Sequence, residues 1–199
     1  MKRFVTSDWH IGENRFEIMQ RPFKCPEEML DKLVENHNSL VNPEDLVYVL
    51  GDVVYQKTPE ELCEVSMFNG RKILVRGNHD RVFTDDQLLK WFEQVVPEGD
   101  GIELDVAGIP IYMTHYPTKA VCDRFNLVGH IHSAWKVQLN SFNVGVDANH
   151  FYPHNLDEIV PFFLKSISEF YDEDVWAAYN IPNISYVGKR GKKSSYLDS

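Results

Sequence analysis

Short apolar runs that favour β-structure recur along this chain, and each of them stops at a small cluster of polar residues. The runs cover residues 3–6, 46–50, 72–75, 109–113 and 127–128. Their length and apolar content are typical of strands buried in a sheet. Because each polar cluster follows directly, we expect its side chains to lie in the loop at the strand end. Parallel strands would bring these loops together at one edge, where α/β sheets bind ligands.

Between these runs the apolar positions change to a helical period. Residues 26–40 have apolar side chains at helical spacing, with Pro26 suited to the first turn. Further helices are predicted over residues 58–68, 85–95 and 155–170, and a hairpin over residues 105–109. The first of these begins with the capping box Thr58-Pro59-Glu60-Glu61, and the last has Asn155 as its N-cap and an interior Pro161 that should kink or restart it. The alternation predicts a layered α/β fold.

The polar clusters contain aspartate, asparagine and histidine, residue types that can bind metal ions. They read Asp8-x-His10, Gly51-Asp52, Gly77-Asn78-His79-Asp80, Thr114-His115-Tyr116-Pro117 and Gly129-His130-x-His132. Residues two apart on an extended segment point to the same side, so Asp8 with His10, and His130 with His132, can face the metals together. Carboxylate, imidazole and amide oxygen without cysteine suit divalent Mn, Fe, Zn or Co. A single histidine would more often be structural, but the joint pattern favours a centre of two metals.

The order and sequence of these five clusters resemble the calcineurin-like metallophosphoesterase superfamily over residues 8–132, about two thirds of the chain. The resemblance implies a two-sheet β-sandwich flanked by helices. It also implies that one metal is held by Asp8, His10, Asp52 and His132, and a second by Asp52, Asn78, His115 and His130. Residues 21–23 and 143–147 are similar to a compact bacterial and phage branch of this superfamily. The chain departs from the usual second motif at Tyr55, where another polar residue is common.

The same resemblance implies roles for residues that are not ligands. His79 would protonate the leaving oxygen or stabilise charge on the phosphoryl group, and Asp80 would orient it, with a loop cap as the alternative for Asp80. Asn14 and Arg21 are predicted to bind substrate because their loop flanks the site in the compact branch.

Other side chains near the motifs have two possible roles each, one in binding and one in structure. Arg15 and Arg81 are further candidates for binding phosphate, although arginine is common on surfaces. Trp9 and Trp135 could stack on a base or pack against the sheet edges.

The resemblance implies hydrolysis of phosphate monoesters or diesters by a hydroxide held between two divalent ions, with manganese favoured over Fe, Zn, Ni, Co or Mg. The expected substrate is a small phosphoester or nucleotide, and a nucleic-acid end is a further candidate. One alternative is a nuclease acting on DNA or RNA ends, for which the basic run 189–193 is the obvious cluster. Another is a metal-bound scaffold without catalysis that recruits a partner protein.

Composition limits these choices. The chain has 199 residues and a formal net charge of −10, which argues against a broad basic face for duplex DNA. Two divalent cations beside Asp8 and Asp52 would still make the cleft attractive to anions. The cysteines Cys25, Cys63 and Cys122 indicate neither a disulfide framework nor a zinc site. We expect a single domain over residues 1–187, a basic tail over 188–199, no signal peptide or membrane span, and a cytoplasmic location.

Overall fold

The computed structural model describes residues 1–55 and 58–169, which form two five-stranded sheets with helices around them. The strands are β1 (Arg3–Thr6), β2 (Leu46–Val49), β3 (Arg71–Val75), β4 (Gln94–Val96), β5 (Gly101–Val106), β6 (Ile109–Thr114), β7 (Phe125–Val128), β8 (Val137–Gln138), β9 (Ser141–Asn143) and β10 (His154–Asn155). The helices are α1 (Phe16–Met19), α2 (Pro26–Asn38), α3 (Pro59–Cys63), α4 (Asp85–Leu88) and α5 (Leu156–Glu169). The predicted two-sheet fold is confirmed.

Both sheets have parallel strands at the centre, with one antiparallel edge strand in the first sheet and two in the second. The first sheet has the order β10-β1-β2-β3-β4, in which β1 to β4 are parallel and β10 is antiparallel. The second has the order β5-β6-β7-β9-β8, in which β6, β7 and β9 are parallel. The antiparallel β5–β6 pair is the predicted hairpin, with its turn at Ala107 and Gly108. All five strands predicted from the apolar runs therefore end where the polar clusters begin.

Two apolar layers cover the first sheet. Phe4 and Val47 belong to a core shared with α2, whereas their neighbours Val5 and Tyr48 pack with residues of the second sheet. Successive strand residues face opposite sides, so both faces of these strands are apolar. The first residues of α5, including Leu156, close the core between the sheets. The site lies at the edge of this rigid double layer.

Helix α2 follows the sequence closely. Pro26 occupies its first turn, and the apolar side chains of Met29, Leu30 and Leu33 are buried against the first sheet. The helix ends at Asn38, whose side-chain amide donates to the Met67 carbonyl at 2.9 Å. The predicted helix is confirmed, with an end two residues earlier than expected.

The helix predicted over residues 85–95 is wrong. Only α4, a single turn capped by Thr84, forms, and the chain returns as β4, where Val96 pairs with Val75 of β3. The apolar period reflects buried Leu88 and Phe92, which pack in the first core without a continuous helix. Strand pairing at the edge of the sheet therefore overrides a weak local helix preference.

The other two predicted helices form with changed bounds. Thr58 caps α3 by accepting the Glu61 N–H at 3.2 Å, but the α-helix ends at Cys63 and continues as a 3₁₀ turn over Glu64–Met67. Asn155 accepts the Asp157 N–H at 3.1 Å, as an N-terminal cap should. α5 runs through Pro161 as one helix.

Part of the predicted organisation lies outside the described residues. This concerns the end of the domain at 187, the basic run 189–193 and the tail 188–199. Over the described part of the chain, no helix has the length and apolar character needed to cross a bilayer.

A buried histidine gives the fold a testable pH dependence. His37 packs edge-on against Trp9 and Phe68, with its Nε2 2.9 Å from the Asn69 carbonyl oxygen. Burial lowers the pKa of His37 to about 4, with the Asn69 hydrogen bond opposing this shift. Its ordinary pKa in the unfolded chain is about 6.5, so the unfolded chain binds more protons between these values. The stability present above pH 6.5 is therefore lost as the pH falls towards 4.

We expect His37→Gln to flatten this dependence. Glutamine keeps an amide donor for Asn69 but does not titrate. Between pH 6 and 5 the unfolding free energy of the wild type should fall by about 1.2 kcal/mol more than that of the variant. Urea unfolding in EDTA measures both slopes. Equal slopes would mean that His37 titrates normally in the folded protein.

Candidate metal centre

The predicted ligands meet because the loops that carry them are bonded to one another through the main chain. The Asp8 N–H donates to the Gly51 carbonyl at 3.1 Å, and the His10 N–H donates to the Asp52 carbonyl at 3.0 Å. The loops after β1 and β2 thus continue the pairing of their strands beyond the sheet. These hydrogen bonds hold the two loops at a fixed distance and so fix the spacing of the ligands on them.

The titratable ligands form two groups of three in which potential ligand atoms lie within 4.8 Å of one another. One group is Asp8, His10 and His132, and the other is Asp52, His115 and His130. The Oδ2 atom of Asp52 lies 3.5 Å from His10 Nε2 and 3.6 Å from His115 Nε2. One carboxylate oxygen therefore faces an imidazole of each group. This is where a bridging ligand belongs between two ions about 3.5–4 Å apart.

Several buried polar atoms at this edge have no hydrogen-bond partner among residues 1–55 and 58–169. They are both ring nitrogens of His10 and the side-chain oxygen of Asn78. His10 is only 2% exposed, so water does not compensate this loss. Unsatisfied polar atoms are costly in a protein interior and are rare unless something binds them. The donor set and its unsatisfied atoms fit divalent cations, with Asn78 contributing oxygen without charge.

Two imidazoles are oriented by partners on their far side. His115 Nδ1 lies 2.6 Å from the Leu50 carbonyl oxygen, and His132 Nδ1 lies 2.8 Å from Asp147 Oδ2. Each Nδ1–H donates to its oxygen, which leaves Nε2 with a lone pair for a ligand. His115 Nε2 and His130 Nδ1 approach to 3.2 Å, so these two nitrogens lie side by side in the second group.

The backbone of the site is strained in a consistent way. Five of the predicted ligands adopt left-handed φ angles. They are Asp8, His10, Asp52, His130 and His132, with φ of 60°, 48°, 56°, 74° and 49°. Such residues are uncommon outside glycine and concentrate at functional sites. Glycines of the motifs allow the close approach: a Cβ on Gly77 would lie 2.2 Å from Asp52 Oδ1, and one on Gly129 would lie 2.0 Å from Ser7 Oγ.

The electrostatics of the site also favour a cation. Burial raises the pKa of Asp8, because nothing in the protein fully replaces the hydration of its charge, while His115 and His132 oppose the shift. Burial also lowers the pKa of His10 well below its usual value, and Arg21 adds to this. Neutral imidazole is the form that ligates metals, and a divalent ion would restore the charged form of Asp8.

His79 lies beside the ligands. Its ring centroid is 4.7 Å from that of His10 and 5.7 Å from that of Tyr55, and its backbone N–H donates to Asp52 Oδ1 at 2.9 Å. His79 also forms a group with His10 and Asp52, in which potential ligand atoms lie within 4.8 Å of one another. Its predicted place next to a bound phosphate is compatible with this position.

Asp80 holds two loops of the site together. Its Oδ2 accepts the N–H groups of Asp52 at 2.9 Å and Gly77 at 2.8 Å, and its Oδ1 accepts that of Val53 at 3.0 Å. Asp80 thus ties the loop after β2 to the loop after β3. Burial, with a contribution from Asp52, raises the pKa of Asp80 to about 6. The loop-cap alternative is the one that the contacts support.

The prediction that Arg21 binds substrate is not supported. Its side chain is fully buried, and its guanidinium donates to both carboxylate oxygens of Asp147, at 2.7 and 2.9 Å. It also donates to the carbonyls of Asp8 at 2.7 Å and Trp9 at 2.8 Å, and contacts the sulfur of Met29. Every N–H of the guanidinium therefore has an internal acceptor, which leaves none for phosphate.

The remaining candidates on the flanking loop are placed as follows. Asn14 is exposed, and its backbone N–H binds Glu13 Oε1 at 2.9 Å, so its role in substrate binding stays a prediction. Arg15 is also exposed and bonds Glu13, and its Cζ lies 4.5 Å from the centre of the Tyr55 ring. Tyr55 in turn faces His79, so this pair borders the site.

Arg81 and the two tryptophans are placed by different contacts. Arg81 forms an ion pair with Glu98, which also accepts the Tyr116 hydroxyl. Trp9 is 1% exposed and stacks on Phe68 at 4.2 Å, so packing is the correct reading for it. Trp135 is partly buried, and its carbonyl accepts the Asn143 side-chain amide.

Asp147 is the functional residue that sequence reasoning missed. Its side chain is 4% exposed and connects His132 to Arg21. It stands at the end of the 143–147 segment that resembles the compact branch, but nothing local in the sequence indicates an ion pair with a residue 126 positions away. The resemblance of residues 143–147 to the compact branch was the signal in the sequence that could have pointed to Asp147.

Comparison with known proteins agrees with the architecture. A family model described as calcineurin-like phosphoesterase matches residues 1–150, which include all predicted metal ligands. An uncharacterized protein of Methanocaldococcus jannaschii is 26% identical over 177 residues, covering 82% of this chain and 92% of that protein. The gene 66 protein of Mycobacterium phage L5 is 32% identical over 80 residues, 39% of each chain. The crystal structure of AQ665, a protein of unknown function from Aquifex aeolicus, matches 81% of this chain and 98% of its own with a TM-score of 0.60 and 23% identity, a likeness of fold alone.

Proposed function

The chain belongs to the calcineurin-like phosphoesterase family, and on that premise we propose that it hydrolyses small phosphate esters with a centre of two divalent metal ions. The observation that carries the proposal is the position of Asp52. Its Oδ2 atom faces imidazoles of both ligand groups at nearly equal distances, 3.5 and 3.6 Å. A carboxylate buried to this degree needs more positive charge than two neutral imidazoles supply. Two cations on either side of Asp52 would provide it.

The residues divide into two ligand sets. The first ion would be held by Asp8, His10, Asp52 and His132, and the second by Asp52, Asn78, His115 and His130. When bound, such ions would supply an activated hydroxide near neutral pH and neutralise charge on the phosphoryl oxygens. Manganese is proposed because imidazole, carboxylate and amide oxygen together suit it better than magnesium.

His79 would act on the leaving group. It stands next to His10 but belongs to neither proposed ligand set, and its ring faces Tyr55. A proton held on its imidazole could pass to the ester oxygen as the bond to phosphorus breaks. The hydrogen bonds that Asp80 makes to Gly77 and to the loop of Asp52 would keep the His79 imidazole at a constant distance from the ligands.

The surroundings of His79 favour leaving groups with a flat apolar surface. Tyr55 replaces the polar residue that is common at this point of the motif, and Arg15 covers its ring at 4.5 Å. The Arg15 side chain is 46% exposed, so it can move to accompany an anionic substrate. We therefore propose aryl or nucleoside phosphoesters, whose leaving group would contact Tyr55.

A panel assay tests the proposed function. After removal of metal with EDTA, the protein is assayed on p-nitrophenyl phosphate, bis-p-nitrophenyl phosphate, cyclic nucleotides and labelled oligonucleotides, each with Mn²⁺, Mg²⁺, Zn²⁺ or no addition. We expect hydrolysis only with metal, at least as fast with Mn²⁺ as with Mg²⁺. The ratio of monoester to diester rates assigns the substrate class. Undiminished hydrolysis after exhaustive metal removal would refute the proposal.

A further inference from the structure

A buried ion pair joins three separate segments beside one half of the site. Arg21 follows α1, Asp147 lies in the 3₁₀ turn after β9, and His132 lies after β7. Asp147 Oδ2 accepts from His132 Nδ1 at 2.8 Å, and the same carboxylate receives two N–H groups of Arg21. The exposed fractions of the Arg21 and Asp147 side chains are 0% and 4%. Burying both charges is costly, so a network of this kind needs an explanation beyond stability.

The other contacts of Arg21 lead to the opposite side of the same ligand group. Its Nη2 and Nη1 atoms donate to the carbonyls of Asp8 and Trp9, which belong to the loop that presents Asp8 and His10. That loop has left-handed φ angles at both ligands, a backbone conformation that L residues rarely adopt. The guanidinium therefore holds the loop from behind while its partner Asp147 holds His132.

The segment that carries Asp147 is fitted to this loop as well. Val146 donates its N–H to the Ser7 carbonyl at 3.0 Å, and a Cβ on Gly145 would lie 2.8 Å from Asp8 Oδ2. Residues 145–147 thus contact the first sheet and His132 at once. His115, in the other ligand group, is oriented by the neutral Leu50 carbonyl. The buried ion pair of Arg21 and Asp147 lies beside the group of Asp8, His10 and His132.

We propose that Asp147 and Arg21 are positioning residues for the metal site formed by Asp8, His10 and His132. The proposal rests on the proposed metal centre, but it concerns binding and not turnover. The Asp147 carboxylate fixes the tautomer of His132, so that Nε2 carries the lone pair, and it makes the ring a stronger donor. Arg21 balances the charge of Asp147 and keeps this carboxylate directed away from the ion. Loss of either residue weakens one site and spares the other.

Asp147→Asn tests the proposal by a titration that needs no substrate. The variant keeps the shape of the side chain but loses the charge and one acceptor of the Arg21 pair. Calorimetric titration of metal-free protein with Mn²⁺ should show one site weakened by ~10–100-fold, the usual effect of removing such a partner, and one site unchanged. Equal affinities of variant and wild type at both sites would overturn the proposal, as would equal weakening of both.

A matched control and a cycle separate positioning from general damage. Glu93 forms a two-bond pair with Arg71 on the surface, at the end of β3 away from the site, so Glu93→Gln should leave both Mn²⁺ affinities unchanged. In a His132→Ala background, Asp147→Asn should cause no further loss, because its effect passes through His132. A further loss of the same size as in the wild type would overturn the proposal.

A second variant covers the case in which Asp147→Asn does not fold. Arg21→Lys keeps the charge but cannot donate to Asp147 and the two carbonyls together. It should fold, weaken the same site and leave the other intact, whereas unchanged binding would contradict the proposed role. If the protein binds two Mn²⁺ ions yet hydrolyses no ester of the panel, the proposed reaction fails while the positioning proposal is still decided by these titrations.

Discussion

Asp52→Asn should remove the second metal ion and hydrolysis together. The substitution preserves the size of the side chain but replaces one anionic oxygen by an amide, which neither bridges two cations nor balances their charge. A bridging ligand and its charge contribute several kcal/mol to a two-metal site, and each 1.36 kcal/mol is tenfold in rate. We therefore expect kcat to fall by ~10³-fold or more. Metal analysis of the purified variant should find at most one ion per chain.

Asp45→Asn is the matched control for this experiment. Asp45 is also buried and also lies in a loop next to β2, but at the opposite end of the strand, where it accepts the N–H groups of Lys2 and Asn42. Its substitution should cost stability without changing metal content or kcat. An Asp52→Asn protein that retained two ions and normal turnover would show that another residue forms the bridge.

The site was predictable from the sequence to the extent that it consists of strand ends. A buried strand is recognisable by its apolar run, and polar residues that follow it closely, such as Asp8 or Asp52, must lie at the edge of the sheet. Parallel pairing of β1, β2 and β3 then brings these residues together without further information. The ligand positions follow from local sequence and one rule of topology.

The supports of the site were not predictable in the same way. Arg21 was expected to bind phosphate because its loop flanks the cleft, but the direction of a long side chain depends on which acceptors the fold presents. Those acceptors are Asp147 and two backbone carbonyls, which become neighbours only after both sheets have formed. The sequence left two roles open for Asp80 for a related reason, since the three backbone N–H groups that converge on it come from two loops that meet only in the folded protein.

The mistaken helix over residues 85–95 shows the same limit at the level of secondary structure. Thr84 and Gln87 begin a helix locally, each side chain bonding the backbone of the other. The chain then leaves this helix because Val95 and Val96 complete the edge of a sheet whose other strands come from distant residues. Local signals specify where α4 starts, and tertiary pairing decides where it stops.

His79→Ala should separate metal binding from chemistry. The imidazole of His79 lies against His10 and Tyr55, whereas its backbone N–H, which the substitution retains, holds Asp52 Oδ1. The ligands should therefore remain in place and bind two ions as before. Turnover of esters with poor leaving groups should fall by ~10²–10⁴-fold, the usual contribution of a positioned acid. For p-nitrophenyl esters the loss should be smaller, because p-nitrophenolate departs with little protonation.

Rates on a series of aryl phosphates, measured with metal content, decide between the roles open to His79. A steeper dependence of rate on leaving-group pKa in the variant identifies the residue as the proton donor. A uniform loss with metal retained would assign it to stabilising the phosphoryl group, and a loss of metal would make it a ligand, as its distance to His10 and Asp52 permits. His150→Asn, at an exposed left-handed turn position that asparagine tolerates, should change neither quantity. If His79→Ala likewise changed neither, the catalytic assignment would be wrong, and the leaving oxygen would have to take its proton from water.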